Sequence, residues 1–369
     1  MKINESFIAQ MRDATQLLQS AGPGAATAAI QRALAGVDAA PVVTPQAAPL
    51  IDINPPPAWA HDAPAATAAA TAAATVDTGR FIAGSYANPD GTRAYKLYVP
   101  GGADDAPRPL VVMLHGCQQD PDDFAAGTAM NALAEQEHCL VLYPAQAHGA
   151  NKLNCWNWFR QRDQRRGRGE PSLIAGMTRQ IMLDYNIDPQ RVYLAGLSAG
   201  GAMAAVMAAT YPELYAAIGI HSGLPYGVAH NLPSALAAMK NGRAGQPSVA
   251  GEAAPFPQAM PVIVFHGERD ATVHPRNGTQ IVAQCLATAG AADGAEVGVE
   301  HGRVPNGRSY TRTIHYGPDG QALAEQWLVH GAGHAWSGGS AEGSYTDPRG
   351  PCASREMLRF FYAHPRQAN

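Results

Sequence analysis

The sequence predicts an α/β fold, with a mostly parallel sheet covered by helices on both faces and a short helical segment and disordered linker in front of it. Three observations predict this. Continuous apolar runs such as PLVVMLH (109–115) and VIVFH (262–266) have the length and composition of strands buried on both faces. Stretches of helical length alternate with those strands, the order that builds a doubly covered sheet. Of the 369 residues, 46% are hydrophobic, which is enough for a substantial core.

Residues 1–35 show apolar side chains at helical spacing: Phe7, Ile8, Met11, Leu17 and Leu18, then Ala26, Ile30 and Leu34. This reads as two short amphipathic helices broken at Gly22-Pro23-Gly24. Residues 36–78 are Ala, Pro and Thr with few large apolar side chains. Such a stretch buries too little surface to fold and reads as a linker. The catalytic domain is expected over 79–369. Residues 81–100 form two strands around Pro89-Asp90-Gly91. Strands follow at 109–115 and 140–143, then a helix at 173–185, a strand at 191–195 and a helix at 199–210. Further strands are expected at 216–221, 262–266 and 322–330, with helices at 279–287 and 353–363.

The composition excludes several classes. A net charge of −4 with 15% charged residues offers no basic surface for nucleic acid. No run approaches the roughly 18 apolar residues of a membrane span. Glu5, Gln10, Arg12 and Asp13 stand where the apolar core of a secretory leader belongs, so the sequence favours a cytoplasmic protein. The five cysteines have no zinc spacing, and no metal or cofactor is called for.

Gly196-Leu197-Ser198-Ala199-Gly200 fits G-x-S-x-G, with the strand Val192–Ala195 before it and an Ala-rich helix after it. That context is a nucleophile elbow, a tight strand-to-helix turn that holds a serine Oγ clear of the sheet. A hydroxyl needs a base to become a nucleophile, and the partners follow in the order acid, then histidine. Asp270 comes just after the strand at 262–266 and is the expected acid, with Glu268 its competitor. His334 lies past a glycine-rich turn after the last strand and is the expected base, with His330 its competitor. The tetrahedral intermediate needs two backbone donors. The amide of Ala199 is one, and the amide of Cys117, in the turn His115-Gly116-Cys117-Gln118-Gln119, is the other. Trp156 and Trp158 sit in a polar stretch, NCWNWF (154–159), and read equally well as core plugs or as a substrate wall beside Gln118. The Arg-rich run 160–170 reads as a solvated loop.

These motifs together resemble the polyhydroxybutyrate depolymerase family of esterases, within the α/β-hydrolase superfamily and related to feruloyl and acetylxylan esterases. The resemblance spans about residues 84–365 and rests on LHGCQQ (114–119), NCWNWF (154–159), IDPQRVYLAGLSAGGAM (187–203), SGLPYG (222–227), HGERDATVHP (266–275) and GAGHAWSGG (331–339). It implies the triad Ser198, Asp270 and His334, an oxyanion donor at Cys117 and a tryptophan of NCWNWF beside the cleft. It implies ester hydrolysis, of hydroxyalkanoate polyester or oligomers or, alternatively, of feruloyl or acetylxylan esters. No separate polymer-adsorbing domain is visible, which favours short oligomers, amorphous polyester or small acyl esters. A reading of another class has residues 1–35 dock on a granule or partner. Two cysteine pairs are candidates for disulfides, Cys117 with Cys155 beside the cleft and Cys285 with Cys352 near the late helices. In a reducing cytosol both pairs stay thiols.

Overall fold

A computed structural model describes residues 79–102, 106–242, 256–290, 296–317 and 320–367. The expected helical segment 1–35 and linker 36–78 lie outside the described residues.

The described residues form a mixed ten-stranded sheet in the order β1-β2-β4-β3-β5-β6-β7-β10-β9-β8. At one edge β1 (Arg80–Asn88) and β2 (Gly91–Val99) make a hairpin, and β2 runs antiparallel to β4 (Leu140–Pro144). The parallel centre joins β4, β3 (Arg108–Leu114), β5 (Ile187–Leu197), β6 (Ala217–His221), β7 (Val262–Gly267) and β10 (Ala322–Val329). At the other edge β9 (Ser309–Tyr316) and β8 (Val297–Arg303) add antiparallel strands.

Strand alternation divides the core into two clusters, one on each face of the sheet. Leu110, Val112, Leu114, Val192 and Leu194 belong to one, with side chains of α3 (Gly169–Asp184), α4 (Ala199–Thr210) and α6 (Arg276–Thr288). Val111, Met113, Tyr193, Ala195 and Leu197 belong to the other, with α1 (Pro121–Thr128), α2 (Met130–Glu137) and α7 (Ala353–Tyr362). Because both faces are covered, these strands read as unbroken apolar runs. That is why the sequence shows them.

Several elements are absent from the sequence reading: α1, α2, α5 (Leu232–Asn241), β8 and β9. The helices α1 and α2 have eight residues each, too few for a periodic pattern. The start of α1 is nevertheless marked, with Asp120 capping the Asp123 N–H and Pro121 in the first turn. β8 is mostly exposed, so no apolar run announces it. The two short strands β11 (Trp336–Ser337) and β12 (Thr346–Asp347) pair in parallel after β10.

The strand order turns around between β3 and β5. From β3 the chain continues outward to β4, and from β5 outward to β6 and β7. The carboxyl ends of two such strands open a crevice, the usual binding position in an open α/β sheet. Leu114 pairs with Gly196 there, so the His115–Gln119 turn and Ser198 leave the sheet side by side.

Candidate active site

Ser198 sits between β5 and α4 with φ 56° and ψ −116°, a conformation costly for a residue with a Cβ. Two glycines make the turn possible. A Cβ on Gly196 would strike the backbone of Gly200, and one on Gly200 would strike the carbonyls of Leu114 and His115. The Ser198 amide donates to the carbonyl of His221 at 2.9 Å, fixing the elbow to β6. The residue is 8% exposed, with the N-terminus of the buried helix α4 directly behind it.

Across the crevice, a Cβ built on Gly116 would lie 3.6 Å from the Ser198 Cβ, so the glycine lets this turn approach the serine. The turn is held by three fastenings. Gln119 Oε1 accepts from the Gly116 amide at 3.0 Å. The Gln118 amide, in a left-handed residue at φ 65°, donates to Leu153 O at 2.7 Å. Cys117 forms a disulfide with Cys155, with Cα atoms 4.2 Å apart. This differs from the expectation of thiols. The second candidate pair does not form: Cys285 and Cys352 are free. Cys285 packs on the α6 side of the sheet and its thiol donates to Met260 O, whereas Cys352 begins α7 on the opposite side.

Asp270 follows β7, and its side chain is withdrawn from solvent. Oδ1 accepts from the amides of Thr272 (2.9 Å) and Val273 (2.8 Å), and Oδ2 accepts from His334 Nδ1 at 2.7 Å. Burial alone pushes this carboxyl up. The adjacent N–H of His266, the hydrogen bond from His334, the charge of His334 and the Val273 amide outweigh it and hold the pKa well below the ordinary 3.8. With Nδ1 committed to Asp270, Nε2 is the ring nitrogen of His334 left for other work. The competitors engage each other instead. Glu268 Oε2 accepts from the Gly331 amide at 2.9 Å, Glu268 Oε1 lies 3.5 Å from His330 Nδ1, and His330 Nε2 meets Thr311 Oγ1 at 2.9 Å.

His221 was not singled out from the sequence, and it ties the site together. Its Nε2 accepts the Ser337 amide at 3.0 Å, so the proton sits on Nδ1, which donates to Ser222 Oγ at 3.2 Å. The ring stacks between Phe265 and Trp336, with centroids 5.8 and 5.1 Å away. Burial, with the neighbouring His266 and His334, pushes its pKa down to about 3, so it stays neutral.

Trp156 is 0% exposed and Trp158 6%, and both belong to the core cluster that includes Leu114 and Ala199. Trp156 packs on the His115 ring at 5.5 Å. Gln118 is oriented by the hydroxyl of Tyr345, which donates to Oε1 at 2.8 Å. The Arg-rich run is not uniformly solvated. Its arginines are exposed, while Asp163 and Glu170 are buried. Glu170 accepts from Gln146 Nε2 (2.6 Å), Asn157 Nδ2 (2.6 Å) and the Asn157 amide (2.7 Å). Gln146 also donates to the carbonyl of Cys155, at 2.8 Å.

Among the described residues no group of three or more His, Cys, Asp or Glu side chains converges to hold a metal, and no helix is long and apolar enough to cross a membrane. A solved acetyl xylan esterase from Aspergillus awamori is similar over 76% of this chain and 99% of its own, with TM-score 0.58 and 21% identity, and has the same fold. The chain is 34% identical over 256 residues to poly(3-hydroxyalkanoate) depolymerase C of Paucimonas lemoignei, covering 67% of this chain and 59% of that protein. It is 29% identical over 292 residues to feruloyl esterase B of Neurospora crassa, covering 74% and 89%. The chain spans only 53–59% of the length of the first three curated relatives it matches. The family model described as Esterase PHB depolymerase matches residues 93–303, more than half of the chain, and the chain belongs to that family.

Proposed function

We propose that the chain hydrolyses carboxylic esters through Ser198, His334 and Asp270. The observation that carries the reading is the backbone of Ser198 (φ 56°, ψ −116°), strained into a turn that presents its hydroxyl at the switch point of the sheet. Ser198 Oγ attacks the ester carbonyl and passes its proton to His334 Nε2, which returns it to the departing alcohol. A water activated by the same nitrogen then releases the acid from the acyl-enzyme. Asp270 keeps the proton of neutral His334 on Nδ1 and stabilises the imidazolium. The amides of Cys117 and Ala199 receive the oxyanion, each such donor contributing about 3 kcal/mol to the barrier reduction. Gln118 follows Cys117 in the oxyanion turn, and Trp156 and Trp158 belong to the core cluster against which Cys117 packs.

For the substrate we take hydroxyalkanoate esters, oligomeric or amorphous, which the poly(3-hydroxyalkanoate) depolymerase relative supports. The feruloyl and acetylxylan esterase relatives favour the second reading, an esterase of plant-wall acyl groups. The test is hydrolysis of p-nitrophenyl butyrate by the wild type and Ser198→Ala, then a panel of hydroxybutyrate oligomers, acetylated xylan and methyl ferulate. Full activity in Ser198→Ala overturns the reading, and preference for either plant-wall ester overturns the substrate.

A further inference from the structure

Asp270 does not face His334 alone. His266 lies in β7, four residues earlier, wholly buried, with Nε2 3.4 Å from Asp270 Oδ2 and 2.7 Å from the carbonyl of Val273. A carbonyl only accepts, so Nε2 carries the proton and donates it to Val273 O, with the Asp270 carboxylate beside the same N–H. The other nitrogen, Nδ1, has no hydrogen-bond partner among the described residues and faces Gly278 of α6, where a Cβ would sit 3.1 Å away. A proton on Nδ1 would be buried without an acceptor, so this packing fixes the tautomer. The same ring grips the two ends of the turn that carries the acid. Val273 donates its amide to Asp270 Oδ1 while its carbonyl accepts the hydrogen bond from His266 Nε2–H.

We propose that His266 is a positioning residue for the hydrolytic reaction, a fixed Nε2–H donor that clamps the Asp270–Val273 turn and so holds Asp270 Oδ2 in line with His334 Nδ1. The inference rests on the Ser198–His334–Asp270 reading above. Its logic is that a carboxylate with two lone-pair directions on Oδ2 can rotate away from a histidine. The His266 N–H set 3.4 Å from the same oxygen and fastened to Val273 O, together with two amides on Oδ1, leaves one orientation. His334, from the loop after β10, and His221, at the end of β6, are the other titratable groups that act on Asp270 or share its field. His221 is neutral, so the field at the carboxylate comes from His334, and the fixed dipole comes from His266.

The variants separate a donor from a space-filler. Gln places an amide N–H near the Nε2 position, Asn has an N–H that falls short, and Met fills the volume with no donor. Each is assayed for kcat, KM and the pH profile of kcat/KM on p-nitrophenyl butyrate, beside Ser198→Ala. In His266→Met and His266→Asn, kcat falls about tenfold with KM unchanged. The acidic limb of the profile moves to higher pH, because a less stabilised carboxylate makes the His334 imidazolium harder to deprotonate. His266→Gln recovers the larger part of the loss and returns the limb. Wild-type kcat and an unmoved limb in Met overturn the proposal, as does equal loss in Gln and Asn, which stays readable even where Met does not fold. Activity remaining in Ser198→Ala overturns the underlying reading instead.

Discussion

Ser337 donates its backbone amide to Nε2 of His221, 3.0 Å away and 116 positions earlier in the chain. The carbonyl of the same histidine accepts the amide of Ser198 at 2.9 Å. One buried neutral ring and its own backbone thus connect the elbow at the end of β5 to the loop that carries His334. Neither end can shift without disturbing the other.

His221→Leu keeps an apolar side chain but removes the acceptor, leaving the Ser337 amide buried without a partner. The expected loss of stability is about 1–3 kcal/mol. The His334 loop loosens with it, so kcat falls more than KM rises. Thermal unfolding and steady-state kinetics on the same preparation check this. A lower melting temperature with unchanged kcat removes the link between loop and site.

Glu170 is buried, and burial first, then the nearby Asp163, raises its pKa above the ordinary 4.5 against the lowering effect of Gln146 and Asn157. Both carboxylate oxygens face N–H donors only. In Glu170→Gln, one acceptor becomes an NH₂ that meets another donor, so the change destabilises by about 1–3 kcal/mol. The network reaches Cys155 through Gln146, so the oxyanion side of the site weakens with it. A denaturant midpoint equal to wild type contradicts the prediction.

The Cys117–Cys155 disulfide closes a loop with a sequence separation of 38. Removing it by Cys155→Ser costs about 2–4 kcal/mol, chiefly by freeing the unfolded chain. It also frees the Cys117 amide to wander from the oxyanion. The expected result is a lower melting temperature and a lower kcat, reproduced in the wild type by a reductant strong enough to open the bond. Calorimetry with thiol counting tests both parts.

The elbow was legible because one strand, five residues and one helix carry it contiguously. The pairing of Asp270 with His334 was legible because Asp270 follows an unbroken apolar strand and His334 follows a glycine-rich turn after the last long strand. His221, His266 and Gln119 were not, because their roles are made by partners distant in sequence or by a turn whose geometry no residue type reveals. His221 reads as the last residue of an apolar strand, AIGIH, and its polar duty appears only when β11 is laid against it. Glu170 was hidden among exposed arginines, in a run whose charge suggested solvent. A buried carboxylate in such a run has no signature apart from the Gln and Asn side chains that satisfy it. The edge strands β8 and β9 escaped for the opposite reason, since half-exposed strands lack the apolar continuity that marks the centre.

The last prediction concerns acid. Asp270 titrates lower in the folded chain than in the unfolded one, where its ordinary pKa is 3.8. A group with a depressed folded pKa contributes stability that is complete above its unfolded pKa and drains away as the pH falls from there toward the folded value. For Asp270 that window opens just below pH ~4 and extends downward. Asp270→Asn removes the contribution at neutral pH. Wild type and variant therefore differ most in stability near pH 7, and their difference shrinks as the pH is lowered through the window. The same variant leaves His334 without its orienting charge and free to take the wrong tautomer, and kcat falls by about 10⁴-fold. Urea midpoints of the two proteins from pH 7 to pH 3 test the linkage, and kcat at pH 7 tests the orientation. A stability gap that stays constant with pH assigns the Asp270 bonds a structural role indifferent to charge.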